Sequence, residues 1–187
     1  MQAVIQGKVF VLGDNVDTDQ IIPAEYLNLN PSDPQERKLF GRHALSGVPP
    51  AQSGLPGGGV RFVEEGKPGG SFALIVAGRN FGCGSAREHA PLAIREAGCR
   101  AVVAESFARI FFRNSINGGY VVPMETPLRL IDEIATGHMI TLDTGAQILK
   151  DVTTGKAYKL RPLGDAAAAI VDAGGLFPYA RKAGMLK

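Results

Sequence analysis

One stretch near the middle of the chain decides the fold: Phe72-Ala-Leu-Ile-Val-Ala77, followed by Gly78-Arg-Asn-Phe-Gly-Cys-Gly84. The uninterrupted apolar run predicts a strand that is buried on both faces. The glycine-rich segment predicts a turn, and residues 85–97 have the pattern of a helix that ends at Gly98. The stretch therefore predicts a strand-loop-helix unit with a glycine-rich loop at the start of the helix.

The sequence that follows repeats this alternation and then changes character. Arg100 to Glu105 predicts a second buried strand, Phe107 to Asn117 a second helix closed by Gly118-Gly119, and Tyr120 to Pro123 a short strand. Repeated strand-helix alternation indicates a parallel α/β layer. From His138 the pattern is one of alternating strands, with turns at Gly145 and at residues 153–156, until a last helix near residues 176–183. The predicted fold class is α/β with a β-rich C-terminal part.

The N-terminal part predicts fewer regular elements. Val4 to Leu12 suggests a first strand, Gly13-Asp14-Asn15 a turn and then an acidic loop, and Asp33 to Leu45 a short helix with Ser32 or Asp33 as its cap. Val48 to Gly70 holds seven of the 24 glycines and four of the 12 prolines, with few apolar residues to anchor it, and is expected to be a loop. Without an obvious linker or repeat, residues 1–187 are expected to form a single domain.

Composition excludes several classes of function. The formal net charge of +2 is small and the basic residues are spread along the chain, so no nucleic-acid partner is expected. Apolar runs are far shorter than the roughly 20 residues needed to span a bilayer, so no membrane partner is expected. The N-terminus has no pattern of a signal or transit peptide, which favours the cytoplasm, although the stroma of a plastid would suit a processed chain equally well.

No metal site is predicted within this chain. The histidines His43, His89 and His138 lie far apart and form no zinc-binding pair. Asp14, Asp17 and Asp19 lack the glycine and the distant glutamate of a calcium loop. Cys83 and Cys99 form no C-x-x-C pair and are too few for a disulfide framework or an iron–sulfur cluster.

The densest polar cluster, Gly78 to His89, lies where the buried strand turns into the predicted helix, a position that favours anions. A dinucleotide fingerprint and a nucleophile elbow both require glycine where Arg87 stands, and a phosphate loop requires a lysine that is absent. A structural reading stays open at this point: Ser85-x-x-Glu88 is the pattern of a capping box, which would give Ser85 only a helix-capping role.

Longer blocks carry a family resemblance. Gly82-Cys-Gly-Ser-Ala-Arg-Glu-His89 resembles the serine motif in the swivelling domain of aconitase-type hydro-lyases. Ala104-Glu-Ser-Phe-Ala-Arg-Ile-Phe-Phe-Arg-Asn114 and Asp14-Asn-Val-Asp-Thr-Asp-Gln-Ile-Ile-Pro23 are similar to two further blocks of that superfamily. Nearly the whole chain resembles the small subunits of isopropylmalate dehydratase of the plant and cyanobacterial kind. The resemblance implies the swivelling β/β/α domain of the aconitase C-terminal type.

The same resemblance implies an activity and a partner. The chain would interconvert 2-isopropylmalate and 3-isopropylmalate in leucine biosynthesis, together with a large subunit that carries a [4Fe–4S] cluster, and would itself bind no cofactor. Alternatives that stay open are a homoaconitate or citramalate-type dehydratase and a non-catalytic anion-binding domain.

Roles for individual residues also follow from the resemblance. Ser85 would be the catalytic base, Arg87 would bind a substrate carboxylate and steady the Ser85 alkoxide, and Asp19 would lie close by. Gly84, Asn28 and Leu29 are the expected substrate-binding residues, with Leu29 against the isopropyl group. The family usually has two consecutive serines, so Ala86 puts one substrate contact in doubt. Arg109 and Arg113 fall four apart on a predicted helix and are left outside the catalytic set.

Overall fold

A single seven-stranded sheet organises the chain in the computed structural model, which describes residues 4–186. The strand order is β4-β3-β2-β1-β5-β6-β7. The strands are β1 (Val4–Val11), β2 (Phe72–Ala77), β3 (Ala101–Ala104), β4 (Val122–Glu125), β5 (Met139–Asp143), β6 (Ile148–Asp151) and β7 (Ala157–Lys159). The helices are α1 (Thr18–Ile21), α2 (Pro34–Arg42), α3 (His89–Glu96), α4 (Arg109–Asn117), α5 (Asp165–Ala173) and α6 (Leu176–Lys182).

The half of the sheet made of β1 to β4 is parallel, with α3 between β2 and β3 and α4 between β3 and β4. All four residues of β3 are buried, as expected for a strand covered on both faces. Neighbouring residues of β1 belong to opposite apolar clusters, because successive side chains of a strand point to opposite faces. Phe10 belongs to the cluster that contains Phe40 and Ile94, whereas Val9 and Val11 belong to the other cluster. The predicted α/β layer is confirmed.

The other half is antiparallel, with β5 beside β1 and then β6 and β7, which confirms the predicted β-rich C-terminal part. The last predicted helix corresponds to α6, but the sequence analysis missed α5 before it. Most of α5 is alanine, so it has a high helix propensity but little of the large-residue periodicity that identifies an amphipathic helix. Val171 is its one buried residue, packed in the second apolar cluster.

Two expectations for the N-terminal part are confirmed and one is corrected. The first strand is present, and the predicted helix is α2, whose Asp33 cap accepts hydrogen bonds from the N–H groups of Gln35 and Glu36. The acidic loop, however, contains the one-turn helix α1. Its cap is Asp17, which accepts a hydrogen bond from the Gln20 N–H at 2.7 Å, while the Gln20 side chain bonds back to the Asp17 N–H at 3.1 Å.

The segment 48–70 is a loop, as predicted, with one short 3-10 turn at Pro50–Gln52. The expectation that little anchors it is wrong, because Phe62 is only 3% exposed. The Phe62 ring packs at 5.1 Å from the ring of Phe10 and at 5.8 Å from that of Phe72, measured between centroids. Val48 and Val63 are buried in the same apolar cluster, so three residues of the loop hold it against the face of the sheet that carries α3.

Candidate active site

The serine loop, residues 78–88, connects β2 to α3 and carries the predicted catalytic serine. Two of its glycines adopt positive φ angles, +77° at Gly82 and +89° at Gly84. A side chain at Gly82 would overlap the ring of Phe111 on α4, and a Cβ at Gly84 would lie 3.3 Å from the Thr18 hydroxyl on α1. Glycine is therefore required for the loop to pass between these two helices.

The helix after the serine loop begins later than the sequence predicted, at His89 instead of near Ser85. Pro91 gives the physical reason. In a helix capped by Ser85, Pro91 would lie in the interior, where its ring clashes with the carbonyl of Arg87 and its missing N–H leaves that carbonyl unbonded. With the start at His89, Pro91 falls in the first turn, where no N–H is needed.

The late start rules out the capping role for Ser85. The cap residue of α3 is Glu88, which has helical backbone angles and makes no side-chain capping bond. Ser85 is exposed, and its hydroxyl has no hydrogen-bond partner in residues 4–186. The same residues offer no acceptor for the backbone N–H groups of positions 84–88, so these donors are available to water or to an anion. The Ser85 hydroxyl is thus exposed and is not engaged in a hydrogen bond within residues 4–186.

Arg87 is the most enclosed charged group of the serine loop, with its side chain 15% exposed. Its Nη1 atom forms an ion pair with Asp19 at 2.6 Å and donates a hydrogen bond to the Ile22 carbonyl at 3.2 Å. Its Nε and Nη2 groups have no acceptor within the described chain. One nitrogen therefore anchors the guanidinium to α1 and the residue after it, and two others remain able to bind a carboxylate.

Helix α1 supports the loop, and sequence reasoning missed this role. The Thr18 N–H donates to the Cys83 carbonyl at 2.8 Å, and the Thr18 hydroxyl donates to the Ser85 carbonyl at 3.0 Å. Asp19 follows Thr18 directly and holds Arg87. The Asp17-x-x-Gln20 spacing, a capping-box pattern, was the available signal for this helix.

The predicted substrate-binding residues Asn28 and Leu29 follow a short 3-10 turn, Ala24–Tyr26. Asn28 is exposed, whereas Leu29 is half-buried against this chain's own first apolar cluster. The Tyr26 ring stacks on His43 with 3.8 Å between centroids. The stacking of Tyr26 on His43 thus fastens the loop that carries Asn28 and Leu29 to the end of α2. Leu29 packs within this chain, whether or not it also contacts substrate.

A charge network lies where the parallel strands end. Arg129, after β4, contacts Asp14 at 3.0 Å and Glu105 at 2.7 Å, and Arg79 contacts Glu105 at 3.2 Å. Asp14 also accepts a hydrogen bond from the Arg79 N–H at 2.8 Å. The hydrogen bond from Arg129, followed by that from Arg79, holds the pKa of Asp14 below its usual value. Asp14 therefore links the segment after β1 to the segments after β2 and β4. The sequence analysis predicted only a turn at this residue.

The residues that the structure describes do not fit a metal or an iron–sulfur cluster. Within residues 4–186, no three His, Cys, Asp or Glu residues lie close enough together to hold a metal ion. Cys99 is completely buried, and this burial raises the pKa of its thiol to about 12. Cys83 is half-buried, and burial, followed by the charge of Asp17, raises the pKa of its thiol. Neither thiol is prepared to act as a thiolate ligand.

The candidate residues Ser85 and Arg87 lie outside the cavities of the described chain. A cavity of about 620 Å³ is present, but residues 42–66 line it and it includes neither Ser85 nor Arg87. A second cavity of about 410 Å³ is lined in part by Arg109, Arg113 and Arg161. The chemistry identifies Ser85, Arg87 and Asp19 as the candidate site, since these groups can bind an anion and exchange a proton.

None of the helices in the described chain has the length and apolarity of a membrane span.

Comparison with known proteins agrees with this geometry. The model of the aconitase C-terminal domain matches residues 62–128. A crystal structure of 3-isopropylmalate dehydratase from Methanocaldococcus jannaschii has a TM-score of 0.76 and 36% identity, over 97% of this chain and 96% of that chain. Sheet, serine loop and surrounding helices thus define an aconitase-type C-terminal domain.

Curated relatives narrow this class. The 3-isopropylmalate dehydratase small subunit 1 of Arabidopsis thaliana is 50% identical over 96% of this chain and 70% of its own length. The isopropylmalate/citramalate isomerase small subunit of M. jannaschii is 39% identical over 97% of this chain and 96% of its own length. The chain belongs to the family of 3-isopropylmalate dehydratase small subunits.

Proposed function

We propose that this chain is the small subunit of a heteromeric hydro-lyase that interconverts 2-isopropylmalate and 3-isopropylmalate in leucine biosynthesis. The observation that carries the proposal is the serine loop itself. It presents an exposed Ser85, whose hydroxyl makes no hydrogen bond within the described residues, two residues before an arginine that is anchored on Asp19 and keeps two donor groups free. Ser85 does not cap a helix, because α3 begins at His89 and its cap residue is Glu88.

In the proposed mechanism, the Ser85 hydroxyl acts as its alkoxide. It takes a proton from one carbon of the substrate and becomes the neutral hydroxyl, the electron pair of that C–H bond forms a C=C bond, and the hydroxyl on the neighbouring carbon leaves as hydroxide, which takes a proton from solvent to become water. Re-addition of water with the opposite placement gives the isomer. A serine can act as this base only if nearby positive charge and donors stabilise its anion. Arg87 and the free N–H groups of the serine loop are suited to that task.

Arg87 is proposed to have a second task, binding a substrate carboxylate through Nε and Nη2. Asp19 keeps the guanidinium in place through the 2.6 Å ion pair. Gly84 and Asn28 are exposed and are proposed to contact substrate, and Leu29 to contact the isopropyl group. Ala86 is also exposed but offers a methyl group where the family usually has a hydroxyl, so a hydrogen bond to substrate is missing at that position.

The proposal requires a large subunit. The [4Fe–4S] cluster expected on that subunit would polarise the leaving hydroxyl as a Lewis acid, and the thiols of this chain do not fit such a cluster. Ser85 lies on an open surface, and a partner that covers it would strengthen the interaction of its alkoxide with Arg87 by lowering the local dielectric. We propose that the chain acts as one domain in a reducing compartment, the cytoplasm or a plastid stroma, which suits its two free thiols.

The decisive experiment uses the purified chain, alone and mixed with its large subunit, and follows the absorbance of the alkene intermediate. The chain alone should be colourless and inactive, and the mixture should convert isopropylmalate. Citramalate is the second substrate to test, because the M. jannaschii relative is named for both compounds. An iron–sulfur spectrum in the chain alone would contradict the shared site.

Ser85→Ala tests the base directly. It should lower turnover by about 10²–10⁴-fold, the usual contribution of general-base catalysis, without a change in melting temperature, because the hydroxyl makes no bond within the described residues. Ser32→Ala, at another exposed serine, is the matched control and should change neither quantity. If the Ser85 variant keeps its turnover in the assembled enzyme, the proposed mechanism is wrong.

A further inference from the structure

Thr18 directs both of its hydrogen-bond donors at the serine loop, although nothing in its own chemistry suits it to react. It is only 2% exposed. Its N–H bonds to the carbonyl of Cys83 at 2.8 Å and its hydroxyl to the carbonyl of Ser85 at 3.0 Å. These two carbonyls lie on either side of Gly84. Thr18 therefore holds the backbone on both sides of this glycine, up to and including Ser85.

The residue between the two bonds is the one that most needs such a restraint. Gly84 has a φ of +89°, in a region where glycine moves easily because it lacks a Cβ. The remainder of the serine loop near Ser85 lacks helical hydrogen bonds, because α3 begins only at His89. Without Thr18, the direction of the Cα–Cβ bond of Ser85 would depend on a flexible glycine in an exposed loop.

The neighbour of Thr18 on α1 holds the other reactive group. Asp19 pairs with Arg87 at 2.6 Å. Consecutive residues of one helical turn therefore fix the backbone of Ser85 and the guanidinium of Arg87. Helix α1 is itself secured, since the Gly47 N–H donates to the Gln20 carbonyl at 3.1 Å and the Leu45 N–H to the Ile21 carbonyl at 2.8 Å.

We infer that Thr18 is a positioning residue, whose buried hydroxyl sets the placement of the Ser85 oxygen relative to the Arg87 guanidinium. This inference rests on the proposed function, in which Ser85 reacts as an alkoxide stabilised by Arg87. A serine that moves away from the guanidinium loses that stabilisation, so less alkoxide forms at a given pH. Substrate carboxylate binding by Arg87 does not depend on Thr18 and should persist.

The test compares Thr18→Val, which keeps the shape but removes the hydroxyl, with Thr18→Ser, which keeps the hydroxyl, in the enzyme assembled with its large subunit. Thr18→Val should lower kcat by about 10- to 100-fold, the effect of misplacing a reacting group by about 1 Å, with KM changed less than about threefold. The limb of the pH–rate profile that reports the base should move to higher pH. Thr18→Ser should keep kcat within about threefold.

Thr126→Val is the matched control, because Thr126 is also buried, 1% exposed, and its hydroxyl donates to the Leu128 carbonyl at 3.2 Å. It should leave kcat and the pH profile unchanged even where stability falls. The inference is overturned if Thr18→Val leaves kcat and the pH profile unchanged, or if Thr18→Ser is as damaged as Thr18→Val. Ser85→Ala separates the two hypotheses. An active Ser85→Ala enzyme overturns the proposed role of Ser85 as the base, on which the inference rests. An inactive Ser85→Ala enzyme together with a fully active Thr18→Val enzyme overturns only the role of Thr18.

Discussion

Replacing Arg87 by lysine is the sharpest test of how the site binds its anion. The Nη1 atom of Arg87 already serves Asp19 at 2.6 Å and the Ile22 carbonyl at 3.2 Å, which leaves Nε and Nη2 for a substrate carboxylate. A lysine ammonium is a single point that cannot stay at Asp19 and also present a planar pair of donors. Arg87→Lys therefore keeps the charge of the serine loop but removes its two-donor edge.

The expected magnitude follows from the number of bonds lost. A hydrogen bond to a charged group contributes about 1.5–3 kcal/mol, and each 1.36 kcal/mol of transition-state free energy is tenfold in rate. The lysine ammonium can donate one hydrogen bond to the carboxylate in place of two, so the loss of one bond should lower kcat/KM by roughly 10- to 150-fold. The effect on folding should be small, because Asp19 is 57% exposed and such pairs contribute less than about 1 kcal/mol. That corresponds to a fall in Tm of at most about 4 °C.

The assay measures kcat/KM for isopropylmalate in the assembled enzyme, together with the Tm of the free chain. Arg79→Lys is the matched control, since Arg79 lies on the same loop, is 69% exposed and contacts Glu105 at 3.2 Å. It should keep kcat/KM within about twofold. If Arg87→Lys keeps kcat/KM within the same limit, the two free donor groups do not bind substrate and the reasoning fails.

Three further perturbations test separate parts of the structure. Leu29→Ala should weaken isopropylmalate use by about 1–3 kcal/mol in kcat/KM and spare smaller malate analogues; an equal loss for both would show that Leu29 only packs. The lowered pKa of Asp14 means that its stabilising contribution is present above the unfolded value of about 3.9 and is lost as pH falls through the folded pKa. Urea midpoints should therefore fall with acidification in the natural chain and fall less in Asp14→Asn. Gly84→Ala should lower stability by about 1–2 kcal/mol in thermal unfolding, because its φ of +89° disfavours a Cβ, and no loss would mean that the loop relaxes freely.

Local patterns were enough to predict most of the architecture. The apolar runs that form β2 and β3 and the glycines that close the helices are features of short windows, and they gave the parallel layer correctly. Two errors came from features that such windows understate. Alanine-rich α5 has little apolar periodicity, and the residues that anchor the 48–70 loop, Val48, Phe62 and Val63, are few within a glycine-rich segment.

The start of α3 was mispredicted although its cause, Pro91, is local. The capping pattern Ser85-x-x-Glu88 and the proline gave opposing indications, and the proline decides because its steric clash costs about 3 kcal/mol or more, against about 1 kcal/mol for a cap. Weighing these magnitudes would have placed the helix start correctly.

For the site, the resemblance supplied Ser85, Arg87 and Asp19, but it could not supply their contacts. The hydrogen bond from Thr18 to Ser85 joins residues 67 positions apart, and the Arg87 contact to the Ile22 carbonyl spans 65. Such pairs are brought together by the parallel pairing of β1 with β2, which carries α1 and the serine loop to the same edge of the sheet. No local pattern encodes that proximity.

The open position of Ser85 has a practical consequence for inhibitor discovery. A fragment screen against the free chain would concentrate hits in the groove of about 620 Å³ formed by residues 42–66, because that is where small molecules find enclosure. Compounds bound there would not contact Ser85, which is not among the residues that line the groove. Screening for molecules that block turnover should therefore begin from the chain assembled with its large subunit, with the lone chain used to discard compounds that bind only the groove.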